Sequence, residues 1–292
     1  MRTSDIDLSQ LPPPALIEAL DAESYLAAAL DDYRMRWPEY TAVLESDPVV
    51  KLLEVLAYRE TLLRNLVNQK ARATMLAFAG GSDLEHIGAR FGVERLLVPS
   101  ASGPVPEDDV RFRRRIQLAP EAFSVAGPAG AYEYWALTSE PSLADAHAFT
   151  PGAAGQERGE VCVVVAGASG DDVADDVLER LSRFYAREDI VPLTDIVSVR
   201  RAAKRPYDVV QTLQVARGPD PEVIRLAADK RIRAYAAERR LIAQAVYRVG
   251  LSAASKLAGA DNVTMPQPAG DVVPLDHEIA ELGSVALTVE IL

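Results

Sequence analysis

The segment that begins at Asp47-Pro48 constrains the fold of this 292-residue chain most strongly, because no further glycine or proline follows until Gly80. An aspartate is a favourable N-cap, and proline fits the first helical position because its missing N–H is not needed there. The sequence therefore predicts one helix from Asp47 to Ala79, about 48 Å long at 1.5 Å per residue.

A second, shorter helix should follow the Gly80-Gly81 stop. Ser82 and Glu85 have the spacing of a capping box, in which each side chain bonds the other residue's backbone N–H. Gly92 is then suited to end the helix, since glycine readily adopts the left-handed conformation found there. We expect an αα-hairpin with arms of very unequal length.

The predicted long helix is apolar on two stripes, whereas a helix with one dry face needs only one. Either its own domain buries both stripes, or part of this surface belongs to a bundle with other chains. The first stripe contains Leu52, Leu56, Leu63, Val67 and Thr74, and the second contains Val55, Leu62, Leu66, Ala73 and Leu76.

The rest of the sequence predicts short helices and strands, so the fold class is α+β with several domains. Strands near 143–149, 161–166 and 196–199 with a helix at 172–186 predict a small α/β layer. Strands at 207–215, 263–265 and 285–291 with helices at 221–239 and 242–257 predict a second module. The expected divisions are 1–46, an arm with a short helix; 47–97, the helical hairpin; 98–205, a central α/β domain; and 206–292, a C-terminal interaction domain.

The net charge and the distribution of apolar residues argue against two classes of partner, nucleic acids and membranes. The formal net charge is −12, from 31 Lys+Arg against 43 Asp+Glu, which argues against nucleic acid as a partner. No run reaches the ~18 uncharged apolar residues of a membrane helix, so we expect no membrane contact. One basic run, Arg111 and Arg113–Arg115, is predicted to lie on exposed faces of a short helix. It could be a solvated or salt-bridged face, a contact for an acidic partner, or a phosphate site.

No catalytic, cofactor or metal site is expected. His86, His147 and His277 are far apart in sequence, and the usual nucleotide and hydrolase motifs are absent. The turn Gly167–Gly170 only loosely resembles a phosphate loop, since two aspartates follow it. Adjacent acidic pairs such as Asp175-Asp176 fall near predicted helix starts, where negative charge favours the helix dipole. Cys162, the single cysteine, lies among valines and is expected to be buried.

The run DPVVKLLEVLAYRETLLRNLVNQKARATMLAFAGGSDLEHIGARFGVERL, residues 47–96, resembles the baseplate assembly protein J family of contractile-tailed phages. The resemblance continues through PEDDVRFRRRIQLAPEAFSVAGPAGAYEYWAL, residues 106–137, and IVPLTDIVSV, residues 190–199. Residues 1–46 match the pattern only weakly.

The resemblance implies a structural wedge subunit of a baseplate that holds the wedge ring around the hub and rearranges on sheath contraction. It implies pairing with a second copy of the chain and with a tail protein I-type wedge subunit. Contacts with a W-type, lysozyme-like wedge protein and hub-proximal proteins are also implied. Such a protein is assembled in the bacterial cytoplasm and resides in a virion or injection-particle baseplate.

Matching residues of the long helix are where partner contact is expected, and Arg59 and Asn68 within an apolar seam would fix its register. The full set of partner-binding candidates is Leu52, Leu53, Leu56, Tyr58, Arg59, Glu60, Leu63, Leu66, Val67, Asn68, Arg113 and Arg114. The terminal strand VALTVEIL is also expected to pair with a second copy, since an unprotected strand edge is a pairing site.

Two other functions are open on the residues alone. One is an enzyme of an unrecognised α/β class, with the Gly167 turn or the acidic pairs as its site. The other is a multimeric adaptor outside a baseplate. An enzyme requires a pocket with convergent polar groups, whereas a scaffold or adaptor requires extended apolar faces.

Overall fold

A computed structural model describes residues 17–41, 46–100, 102–124, 126–151, 159–168, 172–187, 189–218, 220–256 and 258–292, together with residues 8, 11, 14 and 44. Its contacts divide the chain into two compact units, an N-terminal one of Ile6–Glu94 and a second one that consists mainly of Arg95–Leu292. Helices build the first unit, and helices with small sheets build the second. The predicted α+β class is confirmed, while the four predicted domain boundaries stay a prediction.

The N-terminal unit contains helices α1 (Ala22–Arg36), α2 (Pro48–Ala73) and α3 (Gly81–Ala89). Asp47 caps α2 as predicted, because its carboxylate accepts a hydrogen bond from the Val49 N–H at 2.8 Å. The helix ends at Ala73, six residues before the predicted Ala79. There the Thr74 N–H and hydroxyl both bond the Ala71 carbonyl, which tightens the backbone into a turn.

The start of α3 also differs from the prediction. Its N-cap is Gly80, which has no side chain to cap the helix, so Ser82 is not the N-cap residue that the predicted capping box requires. Gly81 has φ +52°, a conformation that glycine adopts without strain. At the other end, Gly92 has φ +69° and follows the helix as predicted.

The second unit begins with a short ladder, β1 (Leu97–Val98) with β2 (Val105–Pro106), followed by α4 (Asp109–Ala122) and α5 (Ala129–Ser139). A three-stranded sheet comes next, in the order β3-β4-β5, with β3 antiparallel and β5 parallel to β4. Its strands and crossover helix are β3 (Asp145–Phe149), β4 (Glu160–Ala166), α6 (Asp175–Tyr185) and β5 (Ile196–Arg201).

A second three-stranded sheet has the order β7-β6-β8, with β6 antiparallel to β7 and parallel to β8. Helix α7 packs against β8 and also against α8. The α7–α8 contact favours glycine at position 250, since a Cβ there would overlap the end of the Tyr235 ring unless that side chain moved. The elements are β6 (Ala203–Val215), α7 (Pro221–Glu238), α8 (Arg248–Lys256), β7 (Asn262–Gln267) and β8 (Glu278–Ile291).

Helix α8 starts six residues later than the predicted Ile242, because the preceding residues have other partners. The Ile242 N–H donates to the Asp145 carboxylate at 2.7 Å, and Val246 pairs with Val272 in an isolated bridge. Ile242 also joins a buried cluster with Cys162 of β4 and Ile279 of β8. Cys162 is fully buried, as its sequence context predicted.

Candidate partner-binding surface

Helix α2 presents most of its large apolar side chains to solvent. At 100° per residue these side chains span about half of the helix circumference. Leu56 and Leu63 are 51% and 64% exposed, and the others on this side are exposed to a similar degree. The set, called here the outer face, is Leu52, Val55, Leu56, Tyr58, Leu62, Leu63, Leu66 and Val67.

The opposite side of α2 is covered within the chain. Helix α1 packs along it, and the Arg64 guanidinium lies 4.9 Å from the centre of the Tyr25 ring. Arg64 also pairs with Glu18 at 2.6 Å. Asn68 holds the backbone of Glu18 from both sides, since its amide oxygen accepts from the Glu18 N–H and its amide nitrogen donates to the Glu18 carbonyl.

These positions separate the predicted contact residues into two groups. Leu53 and Asn68 are buried on the covered side, so Asn68 does not fix the register of an exposed seam. Glu60 is half-buried and pairs with Arg64. The remaining predicted residues of α2, including Arg59, are exposed on the outer side. Val55 and Leu62 belong to the same surface, and the second apolar stripe was the sequence signal for them.

The basic run of α4 is placed differently from the prediction of exposed faces. Arg111 and Arg115 are buried, and both pair with the buried carboxylate of Glu107. Arg111 also donates to the carbonyls of Leu143 at 2.9 Å and Leu137 at 2.6 Å. Burial lowers the pKa of Arg111, and the charge of Glu107 opposes that shift. These two arginines stabilise the interior instead of contacting a partner or a phosphate.

Arg114 is also engaged inside the second unit. Its guanidinium pairs with the carboxylates of Asp145 at 2.7 Å and Glu133 at 3.3 Å, and its side chain is only 14% exposed. Glu133 in turn lies 2.7 Å from Nδ1 of the buried His147. Arg114 is therefore committed within the chain, whereas Arg113 is half-buried and has contacts of its own.

The alternative enzyme sites lie partly together, since Gly167 and Asp172 line one cavity, but its volume of about 20 Å³ leaves room for little more than a water molecule. Asp172, Asp175 and Asp176 each pair with a different basic residue, respectively Lys204, Arg201 and Arg180. At the turn after β4, the Arg240 guanidinium donates to the carbonyls of Gly167 and Ala168. These carbonyl groups bind a cation, whereas a phosphate loop presents backbone N–H groups to an anion. Gly170 and Asp171 lie outside the described residues.

Two further features are absent from the part of the chain that the structure describes. No group of three or more His, Cys, Asp or Glu side chains there is arranged to hold a metal ion. None of its helices combines the length and apolar character that crossing a membrane requires. The outer face of α2 is thus the feature with the clearest capacity for binding.

Known proteins identify the family. The profile of the Baseplate J-like N-terminal domain matches residues 45–102, and that of the Baseplate J-like protein C-terminal domain matches residues 207–288. The chain is 36% identical over 285 residues to "Baseplate protein J" of Escherichia phage P2, with 92% of each protein covered. This chain belongs to the baseplate protein J family.

Among solved structures, the chain resembles one from the cryo-EM structure of the anti-feeding prophage (AFP) baseplate, with a TM-score of 0.41 and 14% identity. That alignment covers 62% of this chain and 42% of the other, a likeness too distant to bear on function.

Membership in the baseplate protein J family makes the chain a structural subunit of a baseplate that assembles with other baseplate proteins. The prediction that it is not an enzyme is confirmed, since the family is one of structural proteins. The virion baseplate is its location. The N-terminal profile match includes all of α2, so the outer face lies within the segment that carries the family resemblance.

Proposed function

We propose that this baseplate J protein is a wedge subunit that holds the wedge ring around the tail hub and rearranges when the sheath contracts. The observation that carries the proposal is the outer face of α2, within a segment that matches the family profile. A contiguous apolar surface of this kind marks an interaction site when it occurs on a folded protein.

The proposed occupants of the outer face are helices of a tail protein I-type subunit and of a second copy of this chain. A helix with about half of its circumference apolar can contact more than one neighbour, as helices in bundles do. Arg59 lies among the apolar residues of this face and would favour one register over others, because a mismatched arginine is buried without a partner. Tyr58 supplies an aromatic surface of the type enriched in interfaces.

Charged contact is proposed at Arg113 for an acidic surface of a neighbouring protein. Arg114 is left out, since replacing it would break its pairs with Asp145 and Glu133. The W-type wedge protein and the hub-proximal proteins complete the proposed set of neighbours, and assembly is proposed to occur in the bacterial cytoplasm. The four-part division at 46/47, 97/98 and 205/206 is retained as the proposed domain organisation.

Replacing Leu56 and Leu63 by aspartate tests the role of the outer face. The chain and the I-type subunit from the same genome are co-expressed, with the tag on the I-type subunit. We expect the double variant to be lost from the purified complex, because two carboxylates would be buried without partners. Its far-UV circular dichroism should match that of the wild type, since both side chains are mainly exposed.

A matched control carries the same chemistry on other exposed apolar residues. Leu193 and Val249 are 86% and 77% exposed and lie in the second unit. The Leu193→Asp, Val249→Asp variant should co-purify normally. Retention of the Leu56→Asp, Leu63→Asp variant in the complex, or equal loss of both variants, would contradict the role proposed for α2.

A further inference from the structure

Strand β8 forms one edge of the sheet β7-β6-β8, and its backbone groups alternate between the sheet and the outside. The Leu292 N–H donates to the Val215 carbonyl of β6, so Leu292 points its backbone groups inward. Because these groups alternate along a strand, the backbone N–H and C=O groups of Ala286, Thr288 and Glu290 also point toward β6. The N–H and C=O groups of Val285, Leu287, Val289 and Ile291 therefore point away from β6, and no described strand pairs with them.

A bulge sets this alternation. The register of β8 on β6 shifts between Tyr207 and Val209, opposite Gly283 and Ser284. The Asp208 carboxylate fixes the bulge by accepting from both the N–H and the hydroxyl of Ser284 at 2.7 Å. A Cβ at Gly283 would approach this carboxylate to 2.7 Å, so the site favours glycine. Before the bulge the alternation is reversed, so that even-numbered residues such as Glu278 point their backbone groups away from β6. The Glu278 carbonyl is already bonded there, because it accepts from the Ala243 N–H.

The sequence of the open segment is self-complementary in the antiparallel direction. Residues 285–291 read VALTVEI, which places apolar residues symmetrically about Thr288. Val285, Leu287 and Val289 are half-buried and pack toward the core of the sheet, while Ala286, Thr288 and Glu290 are exposed on the other face. A strand turned by 180° about Thr288 therefore matches apolar with apolar and exposed with exposed residues.

We propose that β8 of a second copy pairs with this edge, antiparallel and centred on Thr288, so that the two sheets become one of six strands. The inference rests on the proposed wedge function, in which two copies meet, and it names a second surface, besides the outer face of α2, through which they do so. Val285 would pair with Ile291 of the other copy and Leu287 with Val289, and all four outward-facing residues of each strand would gain hydrogen-bond partners.

Charge favours a second copy in this register. Glu290 is the only charged side chain of the segment, and centring on Thr288 sets each Glu290 opposite an alanine of the other strand. Like charges directly opposite each other destabilise a strand pair, and threonine pairs are favourable there. Centring one residue earlier, on Leu287, would leave Ile291 opposite the bulge at Gly283. The Thr288-centred register is thus the one that uses the whole open edge.

Cysteine cross-linking of the full-length protein tests the register. Thr288 of one copy would lie opposite Thr288 of the other as a non-hydrogen-bonded pair, with the two Cα atoms about 4.5 Å apart. That separation falls within the roughly 4.4–6.8 Å that a disulfide spans. Thr288→Cys should form a disulfide-linked dimer under mild oxidation, seen on a non-reducing denaturing gel. The native Cys162 is buried and should give no background.

Neighbouring cysteines give the matched controls. Two Ala286 residues would be four positions out of register, about 13 Å apart at roughly 3.3 Å per residue. Ala286→Cys alone should not cross-link, nor should Glu290→Cys alone, whereas the double variant should, because each would face the other. Cross-linking of Ala286→Cys equal to that of Thr288→Cys, or none for Thr288→Cys at ~100 μM protein, would overturn the proposal.

A charge variant supplies an independent measurement. Thr288→Glu would place two carboxylates opposite each other and should shift the sedimentation profile toward the smaller species at low salt. Thr264→Glu on β7, the opposite edge of the same sheet, introduces the same charge at an exposed threonine and should leave the profile unchanged. Equal profiles for the two variants would contradict pairing through β8. Neither measurement uses the I-type subunit or α2, so its failure is separate from failure of the wedge proposal.

Discussion

Helices α2 and α4 differ in whether their apolar and charged side chains face the solvent or the interior. In α2 most of the large apolar residues face solvent, and the covered side is held by Asn68 and Arg64. Its buried apolar residues are Val50, Leu53 and Ala57. In α4 most of the apolar residues, although not Val110, are buried together with Arg111 and Arg115, whose charges are satisfied by Glu107. The polar interior of α4 is thus completed by this chain alone, whereas the apolar exterior of α2 is exposed and open to the neighbours proposed for it.

Removing Glu107 should give the largest loss of stability. Glu107→Gln preserves the side-chain volume but leaves two buried guanidinium groups without a carboxylate. Breaking a buried ion pair by neutralising one partner costs about 3–5 kcal/mol. We expect a corresponding drop in the urea midpoint of the second unit, followed by the fluorescence of Trp135 in a Trp37→Phe background.

The exposed pair of Glu222 with Arg225 is the control for Glu107. Glu222→Gln should leave the urea midpoint unchanged within error, because solvent screens this pair. If Glu107→Gln behaved like Glu222→Gln, the interior of α4 would not depend on its charges, and its contrast with α2 would lose its energetic basis.

The elements were predictable where the signal is local. Asp47-Pro48 and Asp220-Pro221 mark helix starts, and in both the aspartate accepts from a backbone N–H of the first turn. The alternation of residues 207–215 correctly predicted a strand with one buried side. Helix α8 was predicted six residues too long at its start, because Asp145 lies 97 positions away in sequence from the Ile242 N–H that it binds.

The candidate surface was predictable in part for the same reason. Two apolar stripes indicated that α2 has an unusually broad apolar surface, but they did not show which side α1 would cover. Asn68 faces inward because the backbone of Glu18, 50 positions earlier, binds it. Arg114 is taken up by Asp145, 31 positions later. Periodicity along one helix contains no information on such partners.

Removing the amide of Asn68 should have a smaller effect than removing Glu107. Asn68→Ala deletes two hydrogen bonds to Glu18, and at about 0.5–1.5 kcal/mol each the loss should total about 1–3 kcal/mol. Faster hydrogen exchange at the Glu18 amide would report it. Gln69→Ala, at an exposed neighbouring position, should leave exchange there unchanged. Equal exchange in both variants would show that Asn68 does not hold the segment before α1.

The smallest expected effect distinguishes two helix starts within the N-terminal unit. Asp47→Ala removes the acceptor of the Val49 N–H and should destabilise α2 by about 1 kcal/mol. Ser82→Ala should change nothing, since Gly80 and not Ser82 is the N-cap residue of α3. Thermal unfolding followed at 222 nm measures both. A loss for Ser82→Ala similar to that for Asp47→Ala would mean that the capping box forms in solution. Helix α3 would then begin at Ser82, as its sequence pattern predicts, and the left-handed Gly81 would lie outside the helix.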